Sequence, residues 1–255
     1  MSSTAPDIFA HLQASHGNMS VAQLLVWANF IEASVEALRR AEAAVRAASS
    51  AYGERNGWWR KSQKKNASKV KVRIPNEEAI TDAIGRELEG IRMEASAGCP
   101  LYDMNVVFDT ERPRKKQVSI GPNALTTDIR VYTYLNPNID LRFESKIFFD
   151  ECDLDKEYLS DRGLLRFADQ ESPYTDRIIG GMIGYSLTKT RSIWESAVEG
   201  RLPSVGCASA VTRTQLSCEA DATVVCDVAR PDPQLPKVTV LHLVMEFETD
   251  PSSRP

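Results

Sequence analysis

Asp128, Glu144 and Lys146 are two acids and a base that neighbouring strands can bring together. They lie in residues 127–149, TDIRVYTYLNPNIDLRFESKIFF, which read as a β-hairpin. The arm Asp128–Leu135 is rich in β-branched and aromatic residues, Asn136-Pro137-Asn138 supplies the turn, and the return arm runs to Phe149. Alternation puts Leu141, Phe143, Ser145, Ile147 and Phe149 on one face and Arg142, Glu144 and Lys146 on the other. A turn closed between Leu135 and Ile139 sets Asp128 opposite Lys146 and diagonal to Glu144, at roughly 5 and 7 Å. Two carboxylates at such a spacing can share one hard divalent cation, Mg²⁺ or Mn²⁺ in its place, with water filling the remaining positions. A lysine beside them can position a water and steady charge developing on a phosphate. One residue of slip would put Asp128 on the wrong face. Asp140 is a poorer partner, about 13 Å along the strand from Glu144. An ordinary cross-strand ion pair would use the same residues.

The pattern of Asp128 on one strand and Glu144-Ser145-Lys146 on the next resembles the PD-(D/E)xK nuclease family, with Thr127 standing where that pattern has proline. The resemblance implies a restriction-endonuclease-like α+β or α/β core, in which a helix, a three-strand meander, a second helix and a strand follow one another. It implies a Mg²⁺-dependent phosphodiesterase, a DNA endonuclease with RNA as an open alternative. Asp128, Glu144 and the Ser145 carbonyl would hold the metal, and Lys146 would act on the attacking water. Members often add an acid from the helix before the sheet, a role open here to Glu77 or Glu78; a simple preference for acids at a helix start explains either one as well. Residues 158–187, YLSDRGLLRFADQESPYTDRIIGGMIGYSL, resemble prokaryotic nuclease-like proteins of phage-defence settings, which implies a restriction or antiviral role and activation by a partner.

The elements that must position these residues follow the same order. Asn76 is expected to cap a helix over residues 76–96 with Ile80, Ile84, Leu88 and Ile91 buried. A strand follows at Asp103–Asp109, then the basic turn Arg112-Pro113-Arg114-Lys115-Lys116, the hairpin, a helix over Asp155–Ala168 and a strand near Gly181–Leu187. Tyr158, Arg162 and Arg166 step along one face of that helix, within reach of a phosphate, and Gly180-Gly181 reads as a tight turn. A short helix at Ser192–Gly200, a strand or hairpin within Thr212–Val228 and a strong strand at Lys237–Phe247 complete residues 71–255, the expected nuclease-like domain. His242 reads as structural.

Residues 1–70 form the expected N-terminal part: a loose arm to residue 18, a long helix from Ser20 to about Tyr52, and a basic linker. Leu24, Trp27, Ile31, Val35, Leu38, Ala41 and Val45 make one apolar stripe. Its seven-residue repeats suit a coiled-coil seam, so the helix is expected either to pack on its own core or to serve a homo-oligomer or partner protein. A non-catalytic assembly module docking through that helix is the competing reading. Between Arg55 and Arg73 lie Arg60, Lys61, Lys64, Lys65 and four further bases with no acid, next to Trp58-Trp59. Together with Arg114, Lys115 and Lys116 they are candidates to neutralise nucleic-acid phosphates, with indoles to stack on bases. A solvated linker has the same composition.

The chain of 255 residues is 42% hydrophobic and 26% charged, as in soluble globular proteins. Its net charge of -4 excludes a globally basic nucleic-acid binder and leaves only a local patch. The five cysteines lack CxxC spacing, which argues against a zinc site and fits a reduced, cytoplasmic setting. No secretory pattern and no membrane contact is expected.

Overall fold

The computed structural model describes residues 7–60, 64–65, 71–110, 128–170 and 173–249. Helices α1 (Ile8–Ser15), α2 (Val21–Ala47) and α3 (Ser49–Gly53) come first, then the short strands β1 (Lys64–Lys65) and β2 (Lys71–Val72). Helices α4 (Glu77–Glu94) and α5 (Pro100–Asp103) lead to strands β3 (Val106–Asp109), β4 (Ile129–Thr133) and β5 (Asp140–Phe148). A crossover containing α6 (Glu151–Asp153) reaches β6 (Ile179–Ser186); α7 (Arg191–Arg201), β7 (Ala208–Thr214), β8 (Thr223–Val228) and β9 (Val238–Glu246) follow. The fold is α+β, with a mixed sheet of seven strands among the described residues, in the order β3-β4-β5-β6-β9-β8-β7. The central pairs β5–β6 and β6–β9 are parallel and the others antiparallel.

Ser20 caps α2 in a reciprocal box with Gln23. The expected apolar stripe is present, and all seven of its residues are buried. They share one hydrophobic cluster with Ile80, Ile84 and Leu88 of α4 and with Ile129, Phe143, Ile183 and Leu243 of the sheet. The seam expected for a coiled coil or a docked partner is therefore consumed by the chain's own core, and that core runs across residue 70. By length and hydropathy α2 also meets the requirement for a membrane span, with 56% of its apolar window buried inside the protein. The helix ends at Ala47 and restarts as α3, earlier than the expected Tyr52. Trp58 stacks on Tyr52 at 5.3 Å, and the Trp59 indole donates to the Gly53 carbonyl. Both indoles expected to meet bases thus have partners inside the fold.

The N-terminal segment is not a loose arm from residue 7 onward. Asp7 caps α1, and Ile8 and Leu12 enter the core. Asp227 of β8, almost fully buried, anchors the helix by accepting from Ser15 (2.7 Å), Thr239 (2.7 Å) and Lys237 (2.7 Å), with His11 at 3.5 Å. Ser, His and Asp meet here, but Ser15 donates to the acid and His11 presents the same ring nitrogen to both, so this is a tether and not a nucleophile triad. Burial alone would raise the Asp227 pKa; hydrogen bonds led by His11 and Lys237 outweigh it and hold the carboxyl well below its usual range. A depressed carboxyl contributes stability above its unfolded pKa, and this contribution is lost as pH falls through the folded value. Ser15→Ala is expected to destabilise the protein by about 1 kcal/mol, read as a lower denaturant midpoint at neutral pH. An unchanged midpoint would show that α1 is held without this bond.

The link between β5 and β6 is not the continuous helix expected over 155–168. It comprises α6, a π-turn at Leu154–Tyr158 and a 3₁₀ turn at Leu164–Ala168. Gly163 separates the last two because a side chain there would strike the Glu157 and Tyr158 carbonyls. Gly180 and Gly181 lie within β6, not at a turn. Aromatic rings cover the glycines of this strand: Phe167 lies over Gly180, Phe143 over Gly181 and Phe148 over Gly184. Phe148 is itself wedged between Tyr158 at 4.7 Å and Trp194 at 4.8 Å. Gly184→Ala is therefore expected to destabilise by about 2 kcal/mol through overpacking, measurable by urea unfolding. A wild-type midpoint would mean that the ring has room to move. His242 sits in the same layer, bonded to the Tyr158 hydroxyl and beside Cys226, in keeping with a structural role.

Candidate active site

The observed hairpin closes two residues earlier than expected. Ile129 pairs with Phe143 and Arg130 with Arg142, and the Thr133 N–H donates to the Ile139 carbonyl. Face parity within the ladder survives a shift of two, but Asp128 lies just before the paired residues and reaches Ser145, whose hydroxyl is on the face opposite Glu144, and the register no longer sets it opposite Lys146. Pairing with β4 stops at Phe143, whereas β5 continues to Phe148. The edge of β5 beyond that point has backbone donors to satisfy. Two carboxylates take them: Asp128 Oδ2 accepts from the Ser145 N–H at 2.7 Å, and Glu77 Oε2 accepts from the Ile147 N–H at 3.0 Å. Asp128 also accepts from the Ser145 hydroxyl (2.6 Å), which meets Thr81 of α4 (3.2 Å), and Thr81 meets the Tyr185 hydroxyl (3.0 Å). This buried chain fixes the start of α4 and the first arm of the hairpin against β5.

Lys146 lies among these acids. Its ammonium donates to Glu144 Oε1 at 2.6 Å and to the Ser145 carbonyl at 2.9 Å, with Glu77 Oε1 at 3.5 Å. Burial pulls the ammonium pKa down, but Glu77, then Glu144 and Asp128, outweigh it and leave it raised. Burial, then Asp128, lifts the Glu144 carboxyl to about 7 against the attraction of Lys146. Glu77 is raised mainly by burial, with Lys146 opposing. Glu144 Oε2 is buried and has no hydrogen-bond partner. Tyr174 is close enough to influence Glu144, although it does not satisfy that oxygen. Burial and then Glu144 push the Tyr174 hydroxyl well above its usual range.

A cleft of about 520 Å³ opens over Glu77, Glu144 and Lys146, with Arg60, Arg162 and Arg166 and the acids Asp153, Glu157 and Asp161 on its wall. Asp128 is not part of that lining and acts on it through its charge. Arg162 is paired with Glu157 at 2.9 Å. Arg166 stacks on Tyr174 at 4.7 Å; neither it nor Arg60 is within ion-pair distance of a carboxylate among the described residues, although the charge of Arg60 is felt by Glu77. Tyr174 was not among the expected residues; lying thirty places beyond Glu144 on an irregular segment, it has no spacing signal to find it by.

Glu78, the other candidate helix acid, is exposed and lines a different pocket with Tyr52 and Arg86. Rotation by one helical residue separates it from Glu77. Asn76 occupies the cap position of α4 without a side-chain capping bond. Of the basic candidates, Arg60 alone is seen at the cleft. Lys64 and Lys65 form β1, paired with β2, and only their backbone is described. Lys61, Arg114, Lys115 and Lys116 lie outside the described residues, as does Thr127.

No protein-family model, curated protein or solved structure matches this chain. Its chemistry has to be read from the cleft. Among the described residues no three His, Cys, Asp or Glu side chains form a metal-holding group. One oxygen of each hairpin arm nevertheless remains open: Glu144 Oε2 has no partner, and Asp128 Oδ1 has none among the described residues. Carboxylate oxygens without protein partners are the kind of donor that Mg²⁺ takes, since it is often held by one or two carboxylates and keeps several waters.

Proposed function

We propose that this protein is a metal-dependent phosphodiesterase acting on nucleic acid, with a restriction-endonuclease-like core running from α4 to β6. The observation that carries the proposal is the pairing of Glu77 and Glu144 with Lys146 at the strand edge where β4 ends, with the Asp128 carboxylate bonded to the neighbouring Ser145. A structural ion pair would need one acid for the lysine. This centre gathers two, adds the charge of Asp128, and leaves a buried carboxylate oxygen unsatisfied, an arrangement that destabilises a fold and is characteristic of functional sites.

Asp128, Glu144 and the Ser145 carbonyl would hold Mg²⁺ or Mn²⁺. When bound, the cation would polarise a phosphoryl oxygen and lower the pKa of a coordinated water. Lys146 would then orient the attacking water and stabilise charge on the phosphate. Glu77 keeps the ammonium charged and near the cleft. Arg60 and Arg166 face the same space outside ion-pair distance of any carboxylate among the described residues and would bind the phosphate being cut or its neighbour. The test is incubation of purified protein with single- and double-stranded DNA and RNA, in Mg²⁺ or Mn²⁺ and in EDTA. Divalent-dependent cleavage supports the proposal. Cleavage that persists in EDTA, or that is equal in wild type and a Glu144→Gln/Lys146→Ala variant, would remove it.

A further inference from the structure

The sheet face that carries Glu144 and Lys146 continues outward along the hairpin. Register pairs Arg130 with Arg142 and Tyr132 with Asp140. By alternation these side chains share the Glu144 face, while Ile129, Val131, Leu141 and Phe143 turn into the core. Moving away from the cleft, the first rung is therefore Arg142 and Arg130, the next holds Tyr132, and Tyr134 follows beyond the end of β4. Rungs on one face are about 7 Å apart. The Arg130 guanidinium lies over the Tyr132 ring at 4.4 Å, and the Tyr132 and Tyr134 rings meet edge-on at 5.3 Å. The row is open to solvent: Tyr134 is 70% exposed, and the Arg130 and Arg142 side chains are 30% and 27% exposed.

The charge of this row is modest. Both arginines bond to the single carboxylate of Asp140, at 3.0 and 3.3 Å, and Asp109 of β3 stands opposite Arg130. Duplex binding relies on neutralising many phosphates, which this face does not offer. Aromatic rings on an open strand face instead suit unpaired bases, whose π-faces a duplex hides.

We infer that Arg142, Arg130, Tyr132 and Tyr134 form a docking track for single-stranded nucleic acid, with bases stacked on the tyrosines and the backbone led into the carboxylate–lysine cleft. The track deepens the phosphodiesterase proposal and rests on it for the cleft end, but its binding can be measured separately. Fluorescence anisotropy in EDTA, with short labelled single strands of DNA and of RNA and the matching duplexes, is the test. Single strands should bind about tenfold or more tighter than duplexes, and Tyr132→Ala/Tyr134→Ala should lose about tenfold or more of that affinity. Tyr134→Phe should bind as wild type does, because the ring remains. Tyr134→Ala alone, at an exposed position, serves if the double variant does not fold, with a smaller loss expected. Comparison of the DNA and RNA strands identifies which polymer the track takes.

Equal or tighter duplex binding, no binding of either form, or alanine variants that bind like wild type would each overturn the track. Divalent-dependent cleavage together with tyrosine-independent binding would sink the track alone. Tyrosine-dependent binding with no cleavage under any divalent cation would keep the track and sink the phosphodiesterase proposal.

Discussion

Lys146→Ala should lower divalent-dependent cleavage about a thousandfold or more, the scale expected when a group that stabilises transition-state charge is removed. The ammonium is the cation around which Glu144, Glu77 and the Ser145 carbonyl are arranged. Removing it leaves acids facing one another across the cleft, so part of any loss could come from a disturbed fold. Glu144→Gln separates the two effects. It removes a negative charge from a crowded site, keeps the side-chain shape, and is expected to lose activity to a similar degree while folding at least as well as wild type. The measurement is single-turnover cleavage in Mn²⁺ alongside near-ultraviolet circular dichroism. Two folded variants that cut at the wild-type rate would place the chemistry elsewhere in the molecule.

Glu144→Gln should also make the protein more stable at alkaline pH. A carboxyl whose folded pKa is about 7 holds its proton in the native state after the unfolded chain has released it. Across the interval from the usual carboxylate range up to about pH 7, the native state therefore binds more protons, and stability falls as pH rises. The full effect is roughly 3 to 4 kcal/mol by pH 8, taking the rise from the ordinary glutamate value to about 7 at ~1.4 kcal/mol per tenfold change in proton affinity. The glutamine variant escapes this penalty, less whatever Lys146 loses when one of its partners becomes neutral. Glu195, buried near Arg39, Arg191 and Arg213, is also lifted to about 7, mainly by burial. The pH profile of wild type alone is consequently a mixture, and the difference between wild type and variant isolates Glu144. Urea unfolding at pH 5 and pH 8 should show a gain for the variant only at the higher value. Mg²⁺ or Mn²⁺ should raise the wild-type midpoint at pH 8 and leave the variant unmoved, since a ligand stabilises only the form that binds it. A pH-independent difference, or equal response to the cation, would contradict the assigned environment of Glu144.

Much of the hairpin was legible in its alternation. Leu141, Phe143 and Ile147 are buried on one face, and Glu144 and Lys146 occupy the other, as period-two patterning requires. Register was not legible. The Thr133 hydroxyl accepts from the Leu135 N–H and itself donates to the Met104 carbonyl, ending the strand before Leu135. That second bond comes from a distant segment and leaves no local trace. The stripe of α2 was plain, but whether it met the chain's own sheet or another molecule depended on tertiary packing. Helix α1 is not legible in the sequence because a single short helix carries little periodicity and its anchors, Asp227 and Thr239, lie at the other end of the chain. Gly180 and Gly181 looked like a turn because glycine is the usual turn residue; rings from neighbouring segments impose glycine there in a strand. Choosing Glu77 over Glu78 required the helix phase relative to β5, which follows only from how α4 docks.

The acids around Lys146 come from three separate stretches of chain, at the head of α4, the entry to β4 and the far half of β5. A ribosome-bound fragment or a proteolytic remnant lacking any one of them has no assembled centre. The centre is thus a product of tertiary docking, complete only when the head of α4 and both arms of the hairpin are seated together.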